Sequence, residues 1–309
     1  MAGLAATFQL FTGLIAFAFP PKHCKHDFME QILSIQSAVT LGFVGNNVAA
    51  PVITHLGHQP LLVNSVMLAA HPGYGVIAGG PTPKATFTAI LDALTALDAL
   101  ADIGAVITGY LGAPSQIDAI TALIMQWQAA RQNGYYVLDP VLGDNGRIYV
   151  DNQLVTEMRD QLLPLASFAT PNQFELELLA EQAVTDVASA TAAARQLLTQ
   201  NPALQGVVAT GINGPDGRVH DCFVSRDKAI DVAYEKRPTG IAGGGDLLTV
   251  IFTSWLAAGQ SFEASFSAAS TQAHAIIDES VNHLEIALLR NLHHLTAIGK
   301  RPSQPDDLA

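Results

Sequence analysis

Three consecutive glycines and an aspartate, Gly243-Gly244-Gly245-Asp246, stand directly before the apolar run 247–252. Glycine leaves a backbone N–H with no side chain in the way. If a helix opens here, its free amides and positive dipole end converge on one point and form an anion site. An aspartate at that point would repel a bound phosphate. It makes sense where the carboxylate takes a proton from a hydroxyl while the amides hold a phosphoryl group in transfer. That pairing is the logic of a small-molecule kinase. Read alone, the same residues are also a glycine-rich turn with Asp246 capping a helix.

Such a pair needs elements that bring other polar groups to it. The apolar stretches 32–37, 60–64, 105–108, 136–138, 168–170 and 206–210 read as strands. They alternate with amphipathic stretches, among them Ile90, Leu91, Leu94, Leu97 and Leu100, then Ile117, Ile120, Leu123, Ile124 and Trp127, whose three-to-four spacing is helical. Helices are also expected over 48–56, from Phe174, over 186–200, and twice after Asp246. Strands alternating with helices predict a mostly parallel sheet covered on both faces. Residues 218–225 and 229–233, separated by Arg226-Asp227-Lys228, predict a hairpin at a sheet edge. Ser37, Asn64, Thr108, Asp139, Thr170 and Thr210 fall at or just after strand ends, where open parallel sheets bind ligands.

Composition narrows the class. A chain of 309 residues, 49% hydrophobic and 14% charged, has ample material for a packed α/β core. A net charge of −12 with only 15 Lys plus Arg argues against nucleic-acid binding, which needs a basic face. An acidic protein that binds a nucleotide must lean on a metal ion and backbone amides. Cys24 and Cys222 define no disulfide framework or metal cluster, which suits a reducing compartment, the cytoplasm.

Residues 1–21 carry no charge and include a strongly apolar run, 10–19. A secretory signal would want a positive start, and a membrane span about 20 apolar residues. The favoured reading is that 1–28 is an extension and that the native start is Met29, which leads straight into a strand. One domain is then expected over 29–299, followed by a solvated tail, 300–309. No membrane partner is expected.

The combination resembles the pyridoxal kinases of the ribokinase-like superfamily. The matching stretches are Ile35-Gln36-Ser37, Gly45-Asn46, His71-Pro72-Gly73-Tyr74-Gly75, Thr108-Gly109-Tyr110, the run 139–144, the run 170–175 and Gly243-Gly244-Gly245-Asp246, in the family's order. The resemblance implies a three-layer α/β/α sandwich with a mostly parallel central sheet. It also implies phosphorylation of the 5′-hydroxymethyl group of pyridoxal and related B6 vitamers by ATP.

By this resemblance Asp246 is the base, and Gly243, Gly244 and Gly245 supply the anion hole, whose donors are typically worth roughly 3–4 kcal/mol of barrier each. Asp139 and Glu175 are carboxylates near Mg²⁺ and the nucleotide phosphates. Alone, Asp139 also reads as a turn residue before a proline, and Glu175 as a first-turn helix residue. Asp144 to Tyr149 resembles a lid over the phosphates. Thr170, Asn172 and Thr210 fall on the nucleotide side, while Ser37, Tyr74 and Tyr110 face pyridoxal. Mg²⁺ is the implied cofactor, with room for a monovalent cation such as K⁺, and a homodimer is the implied assembly.

Three positions depart from the pattern. Gly244 replaces a threonine or valine, Ala38 a histidine, and Pro72 a threonine. They leave open two alternatives: a hydroxymethylpyrimidine kinase, or a non-catalytic member that binds pyridoxal.

Overall fold

The computed structural model describes residues 29–237, 241–281 and 283–298. The expectations for 1–28 and for the tail 300–309 lie outside the described residues. The elements run β1 (Gln31–Leu41), α1 (Asn46–His55), β2 (Gln59–Ala70), β3 (Gly79–Pro81), α2 (Lys84–Ala96), β4 (Ile103–Thr108), α3 (Ile117–Ala130), β5 (Tyr135–Leu138), β6 (Gly143–Asp144), β7 (Arg147–Ile148), α4 (Asn152–Glu157), β8 (Phe168–Ala169), α5 (Gln173–Ala180), α6 (Val187–Gln200), β9 (Gly206–Asn213), β10 (Val219–Ser225), β11 (Ala229–Tyr234), α7 (Gly244–Ala257), α8 (Phe262–Asp278) and α9 (Leu288–Asn291).

Among the described residues the main sheet has nine strands in the order β11-β10-β9-β8-β5-β4-β1-β2-β3. The ladders from β2 through β9 are parallel. The antiparallel β10–β11 hairpin closes one edge as expected, and short antiparallel β3 closes the other. The chain leaves β1 for β2 on one side and returns to β4 on the other. The switch point, where ligands enter such sheets, therefore lies between β1 and β4.

Alternate side chains of each strand enter opposite cores. Leu33 and Ile35 of β1, Val106 of β4, Tyr136 and Leu138 of β5, and Val207 of β9 pack with α2, α3, α5 and α6. Ile32, Ala105, Ile107, Val137, Phe168 and Val208 face the other way, onto α1, α7 and α8. That period-two division makes the three layers. Helix α7 is buried on nearly every face from Leu247 to Ser254, so the end that bears Asp246 sits on a rigid post.

Two strands outrun the sequence reading. β1 continues past Ser37 to Leu41, and β2 past Asn64 to Ala70, with a register shift between Gln36 and Ala38. The β1–β4 ladder stops at Ile35 and Thr108, so beyond it β1 has lost one neighbour. The side chain of Asn47 stands in. Its Oδ1 accepts from Val39 N at 3.1 Å, and its Nδ2 donates to Val39 O at 2.8 Å. Thr210 also lies inside β9 rather than at its end, although its N–H already bonds Pro171 O at 2.9 Å, past the last parallel pair with β8.

Candidate active site

The ends of the parallel ladders are tied in sequence. Gly109 N donates to Ile35 O (3.1 Å), Asp139 N to Thr108 O (2.8 Å), and Thr170 N to Leu138 O (2.9 Å). This staircase sets Ser37, Thr108, Asp139 and Thr170 along one rim. Opposite it, α7 opens at Gly243, whose φ of 89° is in the left-handed range that glycine tolerates. A Cβ on Gly243 would overlap Phe43 O, so the turn presses on the loop after β1. The first bond within α7 runs from Leu247 N to Gly243 O at 2.9 Å. The N–H groups of Gly244, Gly245 and Asp246 therefore precede the helical ladder and are available to an anion. Among the described residues, nothing outside the turn and its own helix comes within 4 Å of a Cβ built on Gly245.

Asp246 lies in the first turn of α7 and keeps part of its surface open. Burial raises its pKa, and a hydrogen bond from the Gly45 backbone opposes the rise. A carboxyl moved up from the usual range is a better proton acceptor than an ordinary aspartate. Gly45 also meets Ser37 on its other side. A Cβ there would overlap both Ser37 Oγ and Ser37 O, and Gly45 has a φ of 53°. One glycine thus brings Asp246 and Ser37, some 200 positions apart in sequence, to the same spot.

Asp139 is buried, and its pKa is raised well above the carboxylate range by burial first, then by the charges of Asp246 and Glu175. The three carboxylates predicted from sequence are therefore neighbours. Thr249 Oγ1 donates to Asp139 Oδ2 at 3.1 Å, and Thr170 Oγ1 lies 2.8 Å from Thr249 Oγ1. Thr170, expected beside the nucleotide, is thus buried and turned toward Asp139. Thr249, which the sequence reading missed, follows Asp246 by three positions and shares its helix face, a spacing that could have flagged it.

Glu175 and Asn172 form a reciprocal cap on α5. Asn172 Oδ1 accepts from Glu175 N at 2.9 Å, and Glu175 Oε2 accepts from Asn172 N at 2.9 Å. Glu175 Oε1 also accepts from Leu142 N (3.0 Å) and Gly143 N (3.4 Å), and Asn172 Nδ2 donates to Gly143 O (2.8 Å). Burial pushes the Glu175 carboxyl up to about 8, against the pull of these main-chain donors. The pair anchors the root of a small hairpin, β6–β7, which turns at Asn145 and Gly146. Asp144 and exposed Tyr149 lie on it, and partial burial first, then the charges of Asp144 and Glu175, raise the Tyr149 hydroxyl.

Thr210 lies beside Asn172 through a single parallel bridge. Tyr110, half-buried just after β4, accepts a hydrogen bond on its carbonyl from Ser65 Oγ. Exposed Tyr74 ends a short 3₁₀ turn, Pro72–Tyr74, after β2. Sequence reasoning also missed Glu285, whose Oε2 accepts from Phe43 N at 3.0 Å. Nothing in its local sequence marks it.

Which residues could hold a divalent ion follows from the donor set. Asp139 has one oxygen engaged by Thr249 and two acidic neighbours, a crowding that a cation relieves. Both oxygens of Glu175 already accept N–H bonds, so an ion would meet it best through water. No group of three or more candidate ligands forms a cage among the described residues. That arrangement suits Mg²⁺, which keeps several waters and takes few carboxylates.

Comparison with known proteins bears on the family and the fold. The family model described as phosphomethylpyrimidine kinase matches residues 47–288. A pyridoxine/pyridoxal/pyridoxamine kinase of Bordetella avium is 36% identical over 243 residues, covering 77% of this chain and 81% of the relative. A pyridoxal kinase of Rubrobacter xylanophilus is 31% identical over 255 residues, covering 81% and 87%. The structure of pyridoxal kinase from Leishmania donovani in complex with ADP and pyridoxine superposes with a TM-score of 0.78 at 29% identity, covering 87% of this chain and 97% of that one. The matches to this family model and to these relatives show that the chain belongs to the pyridoxal kinase family of the ribokinase-like superfamily.

Proposed function

We propose that one domain over residues 29–299 transfers the γ-phosphoryl group of ATP to the 5′-hydroxymethyl group of pyridoxal and related B6 vitamers, giving pyridoxal 5′-phosphate. The observation that carries this reading is Gly45. Its backbone hydrogen-bonds Asp246 and a Cβ on it would overlap Ser37, so proton acceptor and acceptor-side serine are set by one residue.

Phosphoryl transfer asks the protein mainly for position and charge stabilisation. Asp246 orients the hydroxyl and takes its proton late, as the bond to phosphorus forms. The amides of Gly244, Gly245 and Asp246 receive the charge on the phosphoryl oxygens. Ser37, Tyr74 and Tyr110 bind the pyridine ring. Asp144, Tyr149, Asn172 and Thr210 line the nucleotide side, with Thr170 supporting Asp139 there. Asp139, and Glu175 through water, would hold Mg²⁺, which offsets the negative charge of the phosphates when bound. A monovalent cation such as K⁺ is compatible with the same acidic rim. The β6–β7 hairpin closes over the phosphates and keeps water from the phosphoryl group.

The working assembly in this reading is a cytoplasmic homodimer. Exposed Leu41, Met67, Val76 and Ile77 near the outer ends of β1 and β2 offer an apolar face for a second copy to cover. Among the described residues no helix is long and apolar enough to cross a membrane.

The test is incubation with ATP, Mg²⁺ and pyridoxal, following pyridoxal 5′-phosphate by absorbance. Product formation is expected. Product from hydroxymethylpyrimidine but not from pyridoxal would move the substrate assignment, a reading that the matched family model keeps in view. Pyridoxal binding without product would make the chain a carrier or sensor.

A further inference from the structure

Glu285 stands between helices α8 and α9, outside every motif that marks the chemistry. Its backbone is fixed beside the anion turn. It forms a parallel bridge with Ala242, flanked by Ala242 N to Leu284 O (3.2 Å) and Ile286 N to Ala242 O (3.0 Å). Its side chain points across the cleft to two other segments. Oε2 accepts from Phe43 N at 3.0 Å, and a Cβ on Gly42, where φ is 110°, would overlap the carboxylate. The charge of the same carboxylate reaches the Tyr74 hydroxyl and His71 on the turn after β2. A carboxylate is an acceptor with lone pairs for several donors, so one side chain can serve both segments.

These segments have different duties. The loop 42–45 ends in Gly45, which holds Asp246 and abuts Ser37. The turn 71–75 hangs on the extended end of β2 and is closed within itself by Tyr74 N to His71 O (3.0 Å) and Gly75 N to Pro72 O (2.9 Å). We propose that Glu285 is a positioning residue for the phosphoryl acceptor: it pins the 71–75 turn over the acceptor side through Tyr74, and it sets the Asp246-holding loop through Phe43 N–H. The proposal deepens the kinase reading above and rests on it for its kinetic test.

The two arms separate by substitution. Tyr74→Phe removes the first arm alone. It should raise KM for pyridoxal by about three- to tenfold and leave kcat and KM for ATP in place, the size of one ordinary net hydrogen bond at an exposed site. Glu285→Ala removes both. It should raise KM for pyridoxal by about tenfold and lower kcat by about tenfold, again with KM for ATP steady. Glu285→Gln should recover most of both losses, because its amide oxygen still accepts from Phe43 N–H and its NH₂ can meet the Tyr74 oxygen. Hydrogen exchange in the ligand-free protein should quicken at 71–78 in Glu285→Ala and Tyr74→Phe but not in Glu285→Gln.

KM for ATP and pyridoxal rising together, or unchanged kinetics and exchange in Tyr74→Phe and Glu285→Ala, would overturn the proposal. So would a fall in melting temperature with no kinetic change. If Glu285→Ala does not fold, exchange at 71–78 in ligand-free Tyr74→Phe decides: quickened exchange supports the proposal, and unchanged exchange ends it. If the wild-type protein makes no product, the kinase reading fails, while exchange at 71–78 still decides what Glu285 does.

Discussion

The two sides of the cleft are built from different materials. On the proposed nucleotide side, Thr249 links Thr170 to Asp139, Asn172 and Glu175 cap each other, and Asp139, Thr170, Thr249 and Glu175 are buried. On the acceptor side, Asp246 is set by close approach of bare glycines, Gly45 against Ser37 and Gly243 against Phe43 O, with Glu285 as the side chain that spans the gap. Buried, mutually satisfied polar groups resist rearrangement, because breaking one partner strands the others. Glycine contacts give close approach at little cost in volume but little rigidity. The nucleotide side should therefore couple to stability, and the acceptor side to turnover.

The largest effect should come from Asp246→Asn. The amide cannot take a proton, so kcat should fall by about 10²–10⁴-fold. Binding of pyridoxal should persist and the melting temperature should hold, since Asp246 is half-open and lies outside the buried network. Steady-state kinetics with calorimetry reads both, and a large loss of stability would erase the contrast between the two sides.

Glu175→Gln should show the reverse balance. The new NH₂ would face a main-chain donor, either Asn172 N–H or the Leu142 and Gly143 N–H groups. Stability should drop by about 1–3 kcal/mol in urea unfolding, the cost of a buried donor left unpaired. Turnover should fall less than in Asp246→Asn. An isosteric change that left stability untouched would show that this side is no more rigid than the other.

The smallest effect sharpens the comparison within the anion turn. Gly244 has no positive φ, and a Cβ there meets Ile277 Cδ1 at 3.1 Å, the movable end of a side chain. Gly244→Ala should stabilise by about 0.4–1 kcal/mol by narrowing the unfolded ensemble. Destabilisation would mean that Ile277 cannot yield and that the turn has no slack.

Much of this protein was readable from residue order. Apolar runs such as 105–108 and 136–138 announced buried parallel strands, because a strand covered on both faces has no polar period to hide. Residues 218–225 and 229–233 announced the edge hairpin. The glycines before Asp246 announced a helix start, since free amides at a helix end must find partners. The long ends of β1 and β2 were not readable. Their backbone is satisfied from a distance, by β3 and by the side chain of Asn47, and no local pattern encodes that pairing.

The sequence by itself determined the layer architecture and the residue types that phosphoryl chemistry requires, because both follow from local periodicity and functional-group chemistry. Only the tertiary structure decided that Gly45 meets Ser37 and Asp246 together, that Thr170 turns inward to Asp139, and that Glu285 reaches Phe43. Those contacts join positions up to 242 residues apart, and they arise from how α7 and the segment after α8 dock on the sheet, which sequence spacing does not carry.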